Sequence, residues 1–187
     1  NVSETLISVH YMADHFEQFV SQDKRSFTQV SLVYEEDMLG TAGCLSLLKD
    51  KLDEPVLVTN GDILSSLNFE SFANFHLDSS FDATIAVTMY EVNIPYGVVD
   101  TDEGGEFASI TEKPTHTHMV AAGVYMVSPT LLNLLQEGEN IDMPDLLARA
   151  REAGLKIGVY PFHEYWRDVG RPEDLKHADV DVDKGSV

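Results

Sequence analysis

Val56-Leu57-Val58-Thr59-Asn60-Gly61-Asp62-Ile63-Leu64 follows a proline and decides how the rest of the chain is read. An apolar run of this length, closed by Asn-Gly-Asp, predicts a strand buried on both faces. In open α/β sheets ligands bind off the carboxyl ends of the strands. Asp62 is therefore placed where a ligand would sit, and Gly61 lets main chain approach closely. A carboxylate at that point is a hard oxygen ligand suited to Mg²⁺. An Asp that only caps a turn is the alternative.

Upstream, Glu4–Val9 reads as a strand and Tyr11–Val20 as a helix, with Met12, Phe16, Phe19 and Val20 at helical spacing. A polar loop at Ser21–Ser26 leads to a second strand, Val30–Tyr34, so the opening is β-α-β and predicts a parallel pair. In Glu35-Glu36-Asp37-Met38-Leu39-Gly40-Thr41-Ala42-Gly43-Cys44-Leu45, two glycines flank Thr41-Ala42, and Leu45, Leu47 and Leu48 continue as a helix. A small-residue loop opening a helix gathers backbone N–H groups and the positive dipole end.

Downstream, Asn68–Asp78 predicts a helix carrying Phe69, Phe72, Phe75 and Leu77, and Ala83–Met89 a buried strand. Pro95–Asp100, a turn at Asp102–Gly105 and Phe107–Ile110 predict a β-hairpin continuing through Thr111-Glu112-Lys113, with Pro114 ending it. His116 and His118 are read as surface histidines in a polar loop rather than metal ligands. Val120–Val127 is a further strand, and Ser128-Pro129 is an N-cap and first-turn pair for a helix Pro129–Leu135. A helix from Met143 to near Gly154 and a strand Ile157–Phe162 follow. Tyr165-Trp166-Arg167-Asp168-Val169-Gly170 is a second place where an Asp ends an apolar run. Pro172–Ala178 reads as a helix and Asp179–Val187 as a frayed acidic tail.

The 187 residues suffice for one domain with a sizeable core, and 43% hydrophobic with 24% charged residues is the composition of a soluble globular protein. There is no internal repeat, no linker and no apolar run near the roughly 20 residues of a membrane span. Nothing at the start reads as a secretory signal. The single Cys44 cannot form an intramolecular disulfide and fits a reducing cytoplasm. A net charge of −20 argues against nucleic acid and anionic membranes as partners, which call for a basic footprint. It does not forbid phosphorylated substrates, since a site can gather cations locally.

Leu39-Gly40-Thr41-Ala42-Gly43, Asn60-Gly61-Asp62, Glu112-Lys113-Pro114 and Trp166-Arg167-Asp168-Val169-Gly170, in this order and spacing, resemble the sugar-1-phosphate nucleotidylyltransferases. Pro95-Tyr96-Gly97-Val98-Val99 and Gly123-Val124-Tyr125 match further elements, and the mannose-1-phosphate guanylyltransferase branch is the most similar. The resemblance covers roughly Thr5 to Ala178. It implies an α/β, Rossmann-like, mostly parallel sheet with flanking helices and a small β-hairpin subregion. Residues 1–178 would be the nucleotidyltransferase domain and 179–187 the tail.

The implied reaction moves a nucleotidyl group from a nucleoside triphosphate to a sugar 1-phosphate, leaving pyrophosphate, by alignment and charge neutralisation. Asp62 and Asp168 look like the carboxylates that hold Mg²⁺, and Lys113 like the lysine that meets the sugar's phosphate. Glu112 resembles the acceptor for sugar hydroxyls, with Tyr96, Gly97 and Gly123 beside the ring. The nucleotide side would comprise Glu35, Leu39, Gly40, Thr41 and Gly61. A residue at the position of Glu35 reads the base in the family, and an acceptor-only carboxylate suits guanine, so GTP is favoured. A one-residue slip would give that role to Glu36. A homo-oligomer is compatible with this reading.

Two departures stand out. The family's opening βα unit, with its Gly-rich, cationic phosphate loop, is not found. The first strand resembles the family's second, so roughly 30 to 60 residues are expected to be missing, and the chain alone is expected to be poorly active. The other departure is Ala121-Ala122-Gly123, where many relatives place Asn first, which leaves the sugar open. Rival readings are a non-catalytic nucleotide-sugar-binding regulator and a metal-dependent glycosyltransferase. The latter would want two acids where Asn60-Gly61-Asp62 has one.

Overall fold

The protein is described from a computed structural model covering residues 2–22, 28–170, 174, 175, 178 and 181. Most of the expected loop Ser21–Ser26, helix Pro172–Ala178 and tail Asp179–Val187 lies outside those residues. The strands are β1 (Glu4–Val9), β2 (Gln29–Tyr34), β3 (Val56–Thr59), β4 (Ile63–Ser65), β5 (Ala83–Asn93), β6 (Gly97–Thr101), β7 (Phe107–Glu112), β8 (Thr115–Val127), β9 (Ile157–Pro161) and β10 (Trp166–Asp168). The helices are α1 (Ala13–Gln22), α2 (Gly40–Gly43), α3 (Phe69–Asp78), α4 (Pro129–Leu132) and α5 (Met143–Glu152), with a 3-10 turn at Cys44–Leu47. The chain is thus mixed α/β, as the sequence predicts, and it divides into two compact units.

The first unit comprises Asn1–Val56, Ser80–Ala83 and Met126–Ile157. β1 and β2 pair in parallel from Glu4↔Gln29 to Val9↔Tyr34, which is the β-α-β opening read from the sequence. Its helix begins at Ala13 rather than Tyr11, because Met12 takes a φ of 56°, outside the helical region. None of its residues is buried, and Phe16 and Phe19 stay exposed despite their helical spacing. The core of this unit lies instead beneath α4 and α5, where Leu131, Leu132, Met143 and Leu146 are almost fully buried. The helix expected over Pro129–Leu135 stops at Leu132 and continues as turns, with Leu134 N and Leu135 N donating to Leu131 O and Leu132 O. Ser128 occupies the N-cap position but makes no side-chain cap.

The second unit comprises Leu57–Ser79, Thr84–Tyr125 and Gly158–Val187. Its main sheet has the order β3-β8-β5-β9, and the hairpin β6–β7 and the ribbon β4–β10 are both antiparallel. The stretch read as a strand buried on both faces is the edge strand β3. Val56 and Val58 are half-buried while Leu57 and Thr59 face outward. An unbroken apolar run does not reveal which sheet face, or which sheet edge, it meets. β8 is longer than expected and takes in His116 and His118, which are exposed strand residues rather than loop residues.

α3 is capped by Asn68, whose Oδ1 accepts from Ser71 N at 2.9 Å. Phe72 is fully buried, and the Tyr160 ring meets Phe72 in tilted and Phe75 in edge-on geometry at centroid distances of 5.3 and 5.2 Å. Leu77 points out, 61% exposed, and His76 points in, its Nδ1 2.8 Å from Thr84 Oγ1. Phe72→Ala should therefore cost about 3–5 kcal/mol by urea unfolding, while Leu77→Ala should change stability by less than about 0.5 kcal/mol. Equal effects would mean that the inward face of α3 is wrongly placed.

Candidate active site

In the second unit, β4 and β10 pair in the register Asp168↔Ile63, and Val169 N donates to Asp62 O at 2.7 Å. Two acids far apart in sequence become neighbours through this short ribbon. A Cβ built on Gly170 would lie 3.0 Å from Asp168 Oδ1 and 3.5 Å from Asp62 Oδ2, so both carboxylates turn toward one point above that glycine. Gly170 N also donates to Asp168 Oδ1 at 2.9 Å, which fixes the orientation of one of them. Both acids are exposed. Among the described residues no group of three or more His, Cys, Asp or Glu converges. Two convergent carboxylates without a full protein cage match Mg²⁺, which keeps waters and completes its shell with substrate phosphates. Gly61, expected to admit close main chain, has nothing within 4 Å of its Cβ direction.

Around Asn60 the packing is tighter. Its N–H donates to Gly123 O at 2.9 Å, and a Cβ at Gly123, where φ is +71°, would come within 3.0 Å of Asn60 Nδ2 and Ile63 Cδ1. Glycine at 123 is thus required by Asn60 and by its own left-handed backbone. Trp166 Nε1 donates to Ala122 O at 2.9 Å and ties β10 to the same segment.

The hairpin β6–β7 brings Gly97 opposite Glu112. A Cβ on Gly97 would meet Glu112 Oε2 at 3.0 Å, so the glycine leaves room for that carboxylate. Lys113 follows with φ 45°, an uncommon region for a residue with a side chain. Its N–H donates to Tyr96 O at 3.2 Å. The Lys113 ammonium lies 3.9 Å from Glu112, and both side chains are about two-thirds exposed, so the pair adds little to stability. Tyr96, Gly97, Glu112 and Lys113 therefore form one accessible cluster of an acceptor, a cation and an aromatic ring.

The first unit holds the other predicted residues. Helix α2 starts at Gly40 and lasts a single turn before the 3-10 turn, so the longer helix expected through Leu48 is absent. The N–H groups of Thr41, Ala42 and Gly43 are engaged within the protein. Thr41 N donates to Asp142 Oδ1 at 2.9 Å, and Ala42 N and Gly43 N donate to Ile141 O at 3.0 and 3.1 Å. These three amides of the loop are thus docked on the Ile141–Asp142 segment, while Gly40 and Thr41 remain exposed.

Glu35, half-buried, accepts from Leu39 N at 3.0 Å with one carboxylate oxygen and from the Ser8 hydroxyl with the other. Each oxygen retains acceptor capacity beyond that one bond. Glu35 also helps to raise the Cys44 thiol pKa, an effect due first to burial. Elsewhere in this unit Arg149 holds Glu139 through two bonds of 2.9 and 2.5 Å and also donates to Leu134 O. Ser8 and Asp142 carry no signal that singles them out in the sequence, and Asn60 enters only as part of Asn60-Gly61-Asp62. Asp142-Met143-Pro144 gives only an ordinary helix-start signal.

With these sites described, the chain can be compared with known proteins. It matches the nucleotidyl transferase family model over residues 1–185, and it belongs to that family. It is 32% identical over 182 residues to mannose-1-phosphate guanyltransferase beta-A of Xenopus laevis, covering 93% of this chain and 50% of that protein. It is 31% identical over 180 residues to the mannose-1-phosphate guanylyltransferase catalytic subunit beta of Dictyostelium discoideum, again covering 93% and 50%. The chain thus spans about half the length of the curated relatives it matches. The crystal structure of HddC from Yersinia pseudotuberculosis shares the fold, with a TM-score of 0.74 at 23% identity over 97% of this chain and 80% of that one.

Two predictions arise from this geometry. Gly170→Ala should crowd both carboxylates and weaken Mg²⁺ or Mn²⁺ binding measured by calorimetry, while Gly61→Ala should not; equal affinities would separate the carboxylates from Gly170. The Arg149 guanidinium lowers the Glu139 carboxyl from 4.5 to about 2. Stability from this pair is complete above pH 4.5 and is lost as pH falls through about 2. The stability gap between wild type and Glu139→Gln should accordingly be constant near neutrality and close by about pH 2. A gap that persists there would show that the carboxylate is not ionised against Arg149.

Proposed function

We propose that this protein transfers a nucleotidyl group from a nucleoside triphosphate, GTP favoured, to a sugar 1-phosphate. The observation that carries the reading is the convergence of Asp62 and Asp168 on one point at Gly170. Membership of the nucleotidyl transferase family and the names of the guanylyltransferase relatives support it. A phosphate oxygen of the sugar 1-phosphate bonds to the α-phosphorus, the bond to the bridging oxygen breaks, and pyrophosphate departs with that electron pair.

Asp62 and Asp168 would hold Mg²⁺, which when bound offsets charge on the phosphates. Lys113 acts as a point charge for the sugar's phosphate, and Glu112 accepts from sugar hydroxyls beside Tyr96, Gly97 and Gly123. On the nucleotide side stand Glu35, Leu39, Gly40, Thr41 and Gly61, with the remaining acceptor capacity of Glu35 meeting the N1–H and N2–H₂ donors of guanine. We take residues 1–178 as belonging to the nucleotidyltransferase domain and the cytoplasm as the compartment, in keeping with the lone Cys44. No helix among the described residues is long and apolar enough to cross a membrane.

The test is pyrophosphate release from GTP, mannose 1-phosphate and Mg²⁺. Asp62→Asn should reduce turnover by about 10²-fold with the circular dichroism unchanged. Unaltered turnover in that variant would remove Asp62 from the chemistry. Thermal shift separates the base assignment from the rest. GDP-mannose at a hundredfold excess over Kd should stabilise by about 2.7 kcal/mol, whereas stabilisation by dTDP-glucose alone would refute the guanine role of Glu35.

A further inference from the structure

Asp142 stands at the N-cap of α5 in extended conformation, where an aspartate normally accepts from its own helix, yet it makes no such bond. Its Oδ1 accepts instead from Thr41 N at 2.9 Å and from Thr41 Oγ1 at 3.2 Å. The Thr41 hydroxyl in turn accepts from Met143 N at 2.9 Å, taking over satisfaction of the first amide of α5. The cap has been exchanged between two segments a hundred residues apart in sequence.

The surrounding contacts serve the same join. Ile141 N donates to Leu39 O at 2.9 Å, Ile141 O accepts from Ala42 N and Gly43 N, and Asn140 Nδ2 donates to Met38 O. The two loop glycines are explained here as well. At Gly40, φ is +74° and a Cβ would stand 2.7 Å from Ile141 O and 2.9 Å from Asp142 Oδ1. At Gly43 a Cβ would collide with Glu139 O. Both glycines make room for the facing protein segment.

We infer that Asp142 is the positioning residue of the nucleotide loop Leu39–Gly43. It holds Thr41 in place while the amides of Thr41, Ala42 and Gly43 are spent on Asp142 Oδ1 and Ile141 O, and Gly40 and Thr41 stay exposed. The inference rests on the nucleotide role proposed above for Leu39, Gly40 and Thr41. It adds a residue that need not touch the substrate, and it assigns the conformation of the loop to the start of α5 rather than to the ligand.

The experiment uses the full chain as wild type, Asp142→Ala and Asp142→Asn, with GTP and Mg²⁺ as the probe. Asparagine keeps an oxygen acceptor for Thr41 N, so it serves as the rescue variant and guards against simple misfolding. Asp142→Ala should speed amide hydrogen exchange in peptides covering 39–44 and weaken GTP binding about tenfold. Mannose 1-phosphate binding should stay unchanged, and Asp142→Asn should stay within about threefold of wild type on both readouts. Faster exchange with unchanged GTP affinity, or no change in exchange, overturns the inference. Equal losses of GTP and mannose 1-phosphate binding also overturn it, as they would indicate a general structural defect. Wild-type protein that binds mannose 1-phosphate but no GTP defeats the nucleotide reading itself and the inference with it.

Discussion

The pairing of β4 with β10 is the constraint on which the proposed chemistry depends. Three residue pairs, Ile63↔Asp168 to Ser65↔Trp166, join segments more than a hundred residues apart. Two charged carboxylates would otherwise repel, and nothing in their own chemistry draws them together. Main-chain hydrogen bonding does so instead, with Val169 N donating to Asp62 O, and the Trp166 indole Nε1 adds a side-chain bond to Ala122 O. The backbone thus offsets the electrostatic cost of a paired-carboxylate site and leaves both side chains open to solvent and to a cation.

The same division between fastening and function runs through the rest of the molecule. Lys113 and Gly97 occupy strained or side-chain-free backbone positions at the base of a hairpin, and Glu112 fills the space that Gly97 vacates. Gly40 and Gly43 accommodate another loop, and Gly123 accommodates Asn60. Glycines that look alike in the sequence therefore have different causes, and Gly61, unlike Gly40, Gly43, Gly97 and Gly123, faces open space.

Much of this was legible beforehand. Alternation and turn residues locate the hairpin Gly97–Glu112, and the parallel pair β1–β2 follows from a strand–helix–strand pattern. The pairing of Asp62 with Asp168 came only from the ordered set of motifs, since no local pattern contains it. Other features could not be read. In Val56–Thr59 the outward Leu57 is as apolar as the inward Val56 and Val58, so periodicity is silent about the outermost position of β3 among the described residues. The Leu39–Gly43 loop looks like an open cradle until the Ile141 carbonyl, a backbone atom with no residue-specific signal, is placed against its amides. Asp142 was hidden because Asp-Met-Pro is what a helix start normally shows.

The edge position of β3 has a consequence for the protein in bulk. Among the described residues β3 is the outermost strand of its sheet, with Leu57 turned outward, and outermost strands are where one chain can pair with another. Each copy carries a net charge of −20, so at low ionic strength approaching molecules repel long before such edges can meet. At 1 M salt the screening length shrinks to about 3 Å and that protection is largely withdrawn. The acidity of the chain is then a colloidal property: it holds copies apart at low ionic strength and loses that effect as salt rises.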